Sequence, residues 1–277
     1  MSRESPPSPV GVAAVQMTTG ADVAANLATA GRLLEQAARL GARVAVLPEN
    51  FAFMGRADID KRAVAERDGE GPVQRFLGER ARELELWIVG GTTPIADSPG
   101  GRVAAACLVY SDQGERVARY DKIHLFDVAI PGRSEQYRES ANTAPGTRSV
   151  LVPTPAGLLG LSVCYDMRFP ELYRRLAAAG AQWFAVPSAF TVPTGRAHWE
   201  TLLRARAIEN LSYVVAAAQW GVHASGRETY GDSLIVDYWG AVLGRLSGGE
   251  GVVVAQLDLA AQEAVRRDFP ALAHRVL

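Results

Sequence analysis

Short apolar runs of strand length recur along this chain with helical stretches between them. That alternation restricts it to folds in which helices cover the faces of sheets. Residues 10–17 form a buried-strand run; Val23, Leu27, Ala30, Leu34 and Ala37 then recur at helical spacing, with Asp22 placed to cap the start and Gly41 the end. Residues 43–47 return to strand. A polar-faced helix over 73–85 and a strand over 86–90 make a second round. Strands over 103–110 and 115–119 flank Asp112-Gln113-Gly114, the composition of a hairpin turn. Next come a strand over 158–163, a helix opened by Pro170 and ended by Gly180, a strand over 182–186, a helix over 197–210 and a strand over 212–217. The last third reads as strands over 230–236, 241–245 and 252–257 with glycine-rich turns between them. The expected fold is α/β, with mixed sheets under helices. Residues 10–277 read as one domain behind a flexible, polar, proline-containing segment, residues 1–9.

Composition then narrows the partners. A formal net charge of -1 gives no general attraction to nucleic acid or anionic lipid. No stretch has the length and apolarity of a membrane span or a signal peptide, so a cytoplasmic protein acting on a small molecule is expected, without nucleic-acid or membrane partners. The two cysteines, Cys107 and Cys164, are too few for a disulfide framework and match no zinc spacing. With no H-E-x-x-H or H-x-x-E-H pair, neither a metal nor another cofactor is expected.

Cys164 ends the apolar run Leu158-Leu159-Gly160-Leu161-Ser162-Val163 and precedes a stretch leading into the Pro170 helix. A strand-to-helix turn projects its residue out of the sheet and leaves the next backbone N–H groups for an anion, an arrangement that also favours thiolate over thiol. Cys107, inside Ala104-Ala105-Ala106-Cys107-Leu108-Val109, has no polar neighbour and reads as core. Glu49 stands at the mouth of a strand beside Pro48, where a lone glutamate reads more readily as a surface charge or a cap. Lys122 reads equally as an exposed lysine paired with Asp121.

Taken together, the surroundings of these residues resemble the nitrilase superfamily of carbon–nitrogen hydrolases, and within it the Nit branch. The stretches that carry the resemblance include Leu47-Pro48-Glu49-Asn50, Tyr120-Asp121-Lys122-Ile123-His124, Tyr137-Arg138-Glu139-Ser140, Val163-Cys164-Tyr165-Asp166-Met167-Arg168-Phe169-Pro170, Ala197-His198-Trp199-Glu200 and Tyr230-Gly231-Asp232-Ser233. The resemblance implies a four-layer α-β-β-α sandwich that forms a homodimer or larger homo-oligomer, and it places Glu49, Lys122 and Cys164 on the catalytic glutamate, lysine and cysteine. Glu139 falls on a second glutamate of the site, expected to position Lys122 or substrate.

An amide hydrolase needs a nucleophile, a proton carrier and oxyanion donors. Cys164 would attack, Glu49 would move the proton, and the Lys122 ammonium with the Tyr165 backbone N–H would hold the oxyanion, through a thioester. His124 is expected as a hydrogen-bonding neighbour and His198 as a group that orients a carboxylate or backbone. Pro187-Ser188-Ala189-Phe190 and Val214-Val215-Ala216-Ala217-Ala218-Gln219 bring the resemblance nearer to deaminated-glutathione-hydrolysing members than to ω-amidases. Arg168 would bind a substrate carboxylate, or else pair with Asp166 or Glu171. Phe190, Thr191 and Arg196 would form the rim; Arg196 departs from the proline often found there in the family. The alternatives are an ω-amidase, a carbamoyl or nitrile hydrolase, and a non-catalytic or redox-sensing interaction protein.

Overall fold

In the computed structural model, which describes residues 8–132 and 135–276, the expected alternation is present and resolves into two sheets packed face to face between outer helices. The segment expected to be flexible lies, for residues 1–7, outside the described residues. The strands are β1 (Val10–Gln16), β2 (Val44–Val46), β3 (Trp87–Val89), β4 (Thr93–Ile95), β5 (Val103–Tyr110), β6 (Arg116–Asp121), β7 (Asp127–Ala129), β8 (Gln136–Arg138), β9 (Thr143–Ala144), β10 (Leu151–Thr154), β11 (Gly157–Leu161), β12 (Trp183–Ala185), β13 (Tyr213–Ala216), β14 (Trp220–Val222), β15 (Glu228–Tyr230), β16 (Ser233–Val236), β17 (Val242–Leu246) and β18 (Gly251–Leu257). The helices are α1 (Val23–Arg39), α2 (Pro72–Glu83), α3 (Pro170–Ala178), α4 (Val192–Asn210) and α5 (Leu259–Asp268).

The first sheet runs β18-β1-β2-β3-β5-β4, with β6 and β9 also on β5; the second runs β10-β11-β12-β13-β16-β17. Period-two alternation distributes their side chains. On β5, Ala106, Leu108 and Tyr110 join the layer under α1 and α2, with Leu33, Leu34 and Leu77. Cys107 and Val109 point the other way, into a core shared with Leu159, Leu161, Trp183 and Val215 of the second sheet. The far side of that sheet packs under α3 and α4 through Leu176, Trp199 and Leu203. The four layers are thus helix, sheet, sheet, helix.

Several elements differ from the sequence reading for identifiable reasons. Helix α4 starts at Val192 rather than at residue 197, because Thr191 caps it and Pro193 fits its first turn. Gly195 is tolerated inside it since a Cβ there would come within 2.2 Å of the Tyr230 ring. The single strand expected over 230–236 breaks at Gly231 (φ 70°) and Asp232 (φ 63°), so that β15 pairs with β14 while β16 joins the second sheet. Helix α5 had no apolar stripe to announce it. It is capped by Asp258 and docked by polar bonds, Gln262 Nε2 donating to the carbonyls of Gln182 (2.7 Å) and Leu211 (2.9 Å).

Candidate active site

Each candidate residue stands just past the end of a strand, and local backbone chemistry fixes each one. After β2 the chain runs against Gly91, where a Cβ would lie 2.0 Å from the Pro48 carbonyl oxygen, so only glycine (φ 50°) permits the approach. Glu49 follows. Its carbonyl accepts from Gln219 Nε2 (2.9 Å), and the N–H of the next residue, Asn50, is held by Thr92 Oγ1 (2.8 Å). Lys122 follows β6, its N–H donating to the Ala105 carbonyl (3.1 Å).

Cys164 lies beyond β11 in the left-handed region (φ 47°) and opens a 3₁₀ turn, Cys164–Arg168, ahead of α3. Its N–H donates to the Pro187 carbonyl (2.9 Å), which fastens the elbow to the end of β12. Asp166 anchors the turn internally. Fully buried, its carboxylate accepts from Val163 N–H (2.8 Å), the Tyr120 hydroxyl (2.7 Å) and His124 N–H (3.0 Å), and lies 2.7 Å from His124 Nδ1. Because Tyr120 and His124 bracket Lys122 at two-residue spacing, Asp166 ties the elbow to the strand end carrying the lysine. From α4, buried Arg206 donates Nε to the Met167 carbonyl (2.9 Å) and braces the same turn.

The three strand ends converge. Lys122, only 2% exposed, places Nζ 2.8 Å from Glu49 Oε1 and 3.1 and 2.9 Å from the two oxygens of Glu139. Glu139, in the turn after β8, also accepts from Phe126 N–H (2.7 Å). Burial alone would lower the Lys122 pKa, but the Glu139 and Glu49 carboxylates hold it well above the ordinary lysine value. Burial would raise that of Glu139, yet the Lys122 ammonium brings it below the usual carboxylate range. The Asp121 partner expected for Lys122 is engaged elsewhere, by Arg119 (2.8 Å).

Cys164 is buried against this cluster. Burial and the Glu49 carboxylate raise its pKa, outweighing Lys122 and the Ala189 N–H. Burial and the carboxylate delivered by one strand end thus oppose the thiolate that the elbow's donors favour, and the same carboxylate stands where it can take the thiol proton.

The four residues form the floor of a cavity of about 660 Å³. Tyr165, Arg168, Phe190 and Thr191 all line it. The Thr191 hydroxyl caps α4 and pairs with Thr194 Oγ1 (2.8 Å), while Phe190 packs on Trp199 at 4.9 Å between ring centres. Arg168 pairs with neither Asp166 nor Glu171 among the described residues; it lies over the Tyr165 and Phe190 rings (5.8 and 5.5 Å) and donates to His198 Nδ1 (3.3 Å). His198 therefore meets a guanidinium rather than the expected carboxylate or backbone. Arg196 does not reach the rim: α4 carries it into a separate shallow depression with His198 and Glu200. His124 stacks on Phe169 (3.7 Å) while bonded to Asp166.

Sequence reasoning missed Gln219, Asp166 and Arg206 as supports, and Arg138 and Arg227 as cavity residues. An uncapped polar residue directly after an apolar strand was the available signal for Gln219. The two arginines sit near hairpins β7–β8 and β14–β15, whose short strands carried no readable period.

A buried thiol, a carboxylate and an ammonium meeting beneath a cavity are the equipment of an acyl-transfer enzyme. Residues 11–267 match the family model described as "Carbon-nitrogen hydrolase". The chain is 44% identical over 268 residues (95% of this chain, 81% of the relative) to a deaminated glutathione amidase of Homo sapiens, and 39% identical over 265 residues (95% and 92%) to one of Yersinia enterocolitica. Its fold superposes with a TM-score of 0.87 on the crystal structure of Saccharomyces cerevisiae Nit3, a member of branch 10 of the nitrilase superfamily, at 30% identity and covering 97% of each chain. The chain belongs to the carbon–nitrogen hydrolase family and has the four-layer nitrilase fold.

Proposed function

We propose that this protein is a cysteine-dependent amidase that hydrolyses deaminated glutathione to 2-oxoglutarate and cysteinylglycine. The observation carrying the chemistry is the Lys122 ammonium held between Glu49 and Glu139 beside a buried thiol. The relatives' shared activity supports the substrate.

In the proposed reaction the Cys164 proton passes to Glu49 as the sulfur attacks the amide carbonyl, so thiolate forms only as it is consumed. The Lys122 ammonium and the Tyr165 N–H receive the oxyanion. Collapse breaks the C–N bond, Glu49 returns the proton to the departing amine, and a water activated by Glu49 then cleaves the thioester. Glu139 positions Lys122: with two carboxylates on one ammonium, the charge stays in place while Glu49 changes protonation. Arg168, Phe190 and Thr191 contact substrate.

Residues 10–277 act as one catalytic unit in the cytoplasm. Exposed Ile208, Trp239 and Phe269 support a homodimer, the two aromatic rings lying 5.4 Å apart; light scattering tests it. Among the described residues no helix is long and apolar enough to cross a membrane.

The substrate test is release of 2-oxoglutarate, coupled to a dehydrogenase, from deaminated glutathione and from 2-oxoglutaramate. The first should show the higher kcat/KM, since only it offers a dipeptide whose binding can position the scissile bond. A strong preference for 2-oxoglutaramate would make the protein an ω-amidase. Activity confined to carbamoyl compounds or nitriles would reject both.

A further inference from the structure

Among the described residues four arginines, Arg56, Arg138, Arg168 and Arg227, line the cavity, and the chemistry above gives Arg227 no task. It enters from the lip, just before β15. Its guanidinium lies over the Tyr137 ring, 5.0 Å from the centroid, and Nη2 donates to the Ala189 carbonyl. The plane is thus fixed from two sides. Yet Nε is buried with no hydrogen-bond partner among the described residues. A planar, permanently charged group held in a cavity wall with no ion-pair partner among the described residues is matched in charge and geometry by a carboxylate.

We propose that Arg227 binds a carboxylate of the substrate and thereby sets the pocket's preference for acidic amides. The inference rests on the amidase reading. Deaminated glutathione presents this chemistry twice, on its 2-oxo acid and on its glycine. The contact also has a short route to the reacting sulfur. Arg227 holds the Ala189 carbonyl, and the Ala189 N–H faces Cys164, where it favours the thiolate. Occupancy of Arg227 therefore steadies the chain beside the nucleophile, so its loss should lower kcat as well as raise KM.

The test compares wild type, R227K and R227Q on deaminated glutathione and two analogues, one with methyl in place of the 2-oxo acid carboxylate and one with methylamide in place of glycine. For the parent compound R227Q should lower kcat/KM about 10- to 100-fold, the scale of a lost charge-assisted bond, and R227K less. On the analogue lacking the carboxylate that Arg227 binds, wild type and R227Q should be equal, and that analogue identifies the carboxylate. An equal loss on all three compounds, or none on the parent, overturns the proposal. If R227Q fails to fold, the same comparison is made with R227K.

If wild type turns over none of the three, the substrate reading fails and protection decides this inference separately. 2-Oxoglutarate or N-acetylglycine should slow alkylation of Cys164 by iodoacetamide in wild type but not in R227Q. Equal protection in both proteins, or none in wild type, overturns it.

Discussion

Cys107 and Cys164 are both buried, at 0% and 7% exposure, and burial raises the pKa of both, that of Cys107 to about 12. What separates them is where each stands on its strand. Cys107 lies mid-strand, where alternation aims it between the sheets among apolar side chains, and burial alone acts on it. Cys164 stands one turn past a strand end, where two other strand ends deliver a carboxylate and an ammonium. Burial makes a thiol inert; charges of both signs beside it provide a proton acceptor and an anion site. The comparison teaches that a raised thiol pKa alone does not tell a structural cysteine from a reactive one.

The comparison breaks most sharply at the nucleophile. Cys164→Ala should remove turnover, by a factor on the order of 10⁶ if the loss follows the serine-hydrolase precedent, while circular dichroism stays unchanged. Residual activity near wild type would end the assignment. Glu49→Gln and Lys122→Met should each raise the barrier by about 2.7 kcal/mol or more, read as a fall in kcat of roughly a hundredfold.

A finer test separates the signs of the two charges. The pH dependence of iodoacetamide alkylation, followed on the Cys164 peptide by mass spectrometry, should give a wild-type inflection above the ordinary thiol value of about 8.5. Glu49→Gln removes an anion and should lower it; Lys122→Met removes a cation and should raise it. Movement of both in one direction would contradict the described balance. The smallest effect is expected in the other thiol: Cys107→Ala should cost about 1 kcal/mol in urea unfolding and leave kcat/KM unchanged. Equal loss of activity in the two alanine variants would erase the distinction.

Much of this was legible in the chain, for a physical reason. Strands over 10–17 and 103–110 and helix α1 advertise themselves because their apolar faces repeat at the period of the element, and Asp22 does cap α1, accepting from Ala25 N–H (3.1 Å). The positions of Glu49, Lys122 and Cys164 past strand ends were readable for the same reason. Their convergence was not, since periodicity says nothing of which strand ends meet; that depended on the family resemblance. Arg196 was misplaced because a helix turn, invisible to local composition, carries it away from the cavity. The elbow's donors favour a thiolate by themselves; the opposing charge of Glu49, far off in sequence, is brought beside the thiol only by the fold. Arg227 left no signal, its partners Tyr137 and Ala189 being joined to it only by the fold.

The pairing of β18 with β1, Val10 facing Leu257 and Gln16 facing Gly251, has a kinetic consequence. β1 is synthesised long before β18, so one of its edges stays unfilled until β18 follows, although its other neighbour, β2, is available early. Until then the row of unpaired amides and carbonyls along β1 is a template for another chain. Loop closure over such a separation is slow, so the late steps of folding should involve this edge, and nascent or refolding chains should be most prone to aggregate just before β18 docks.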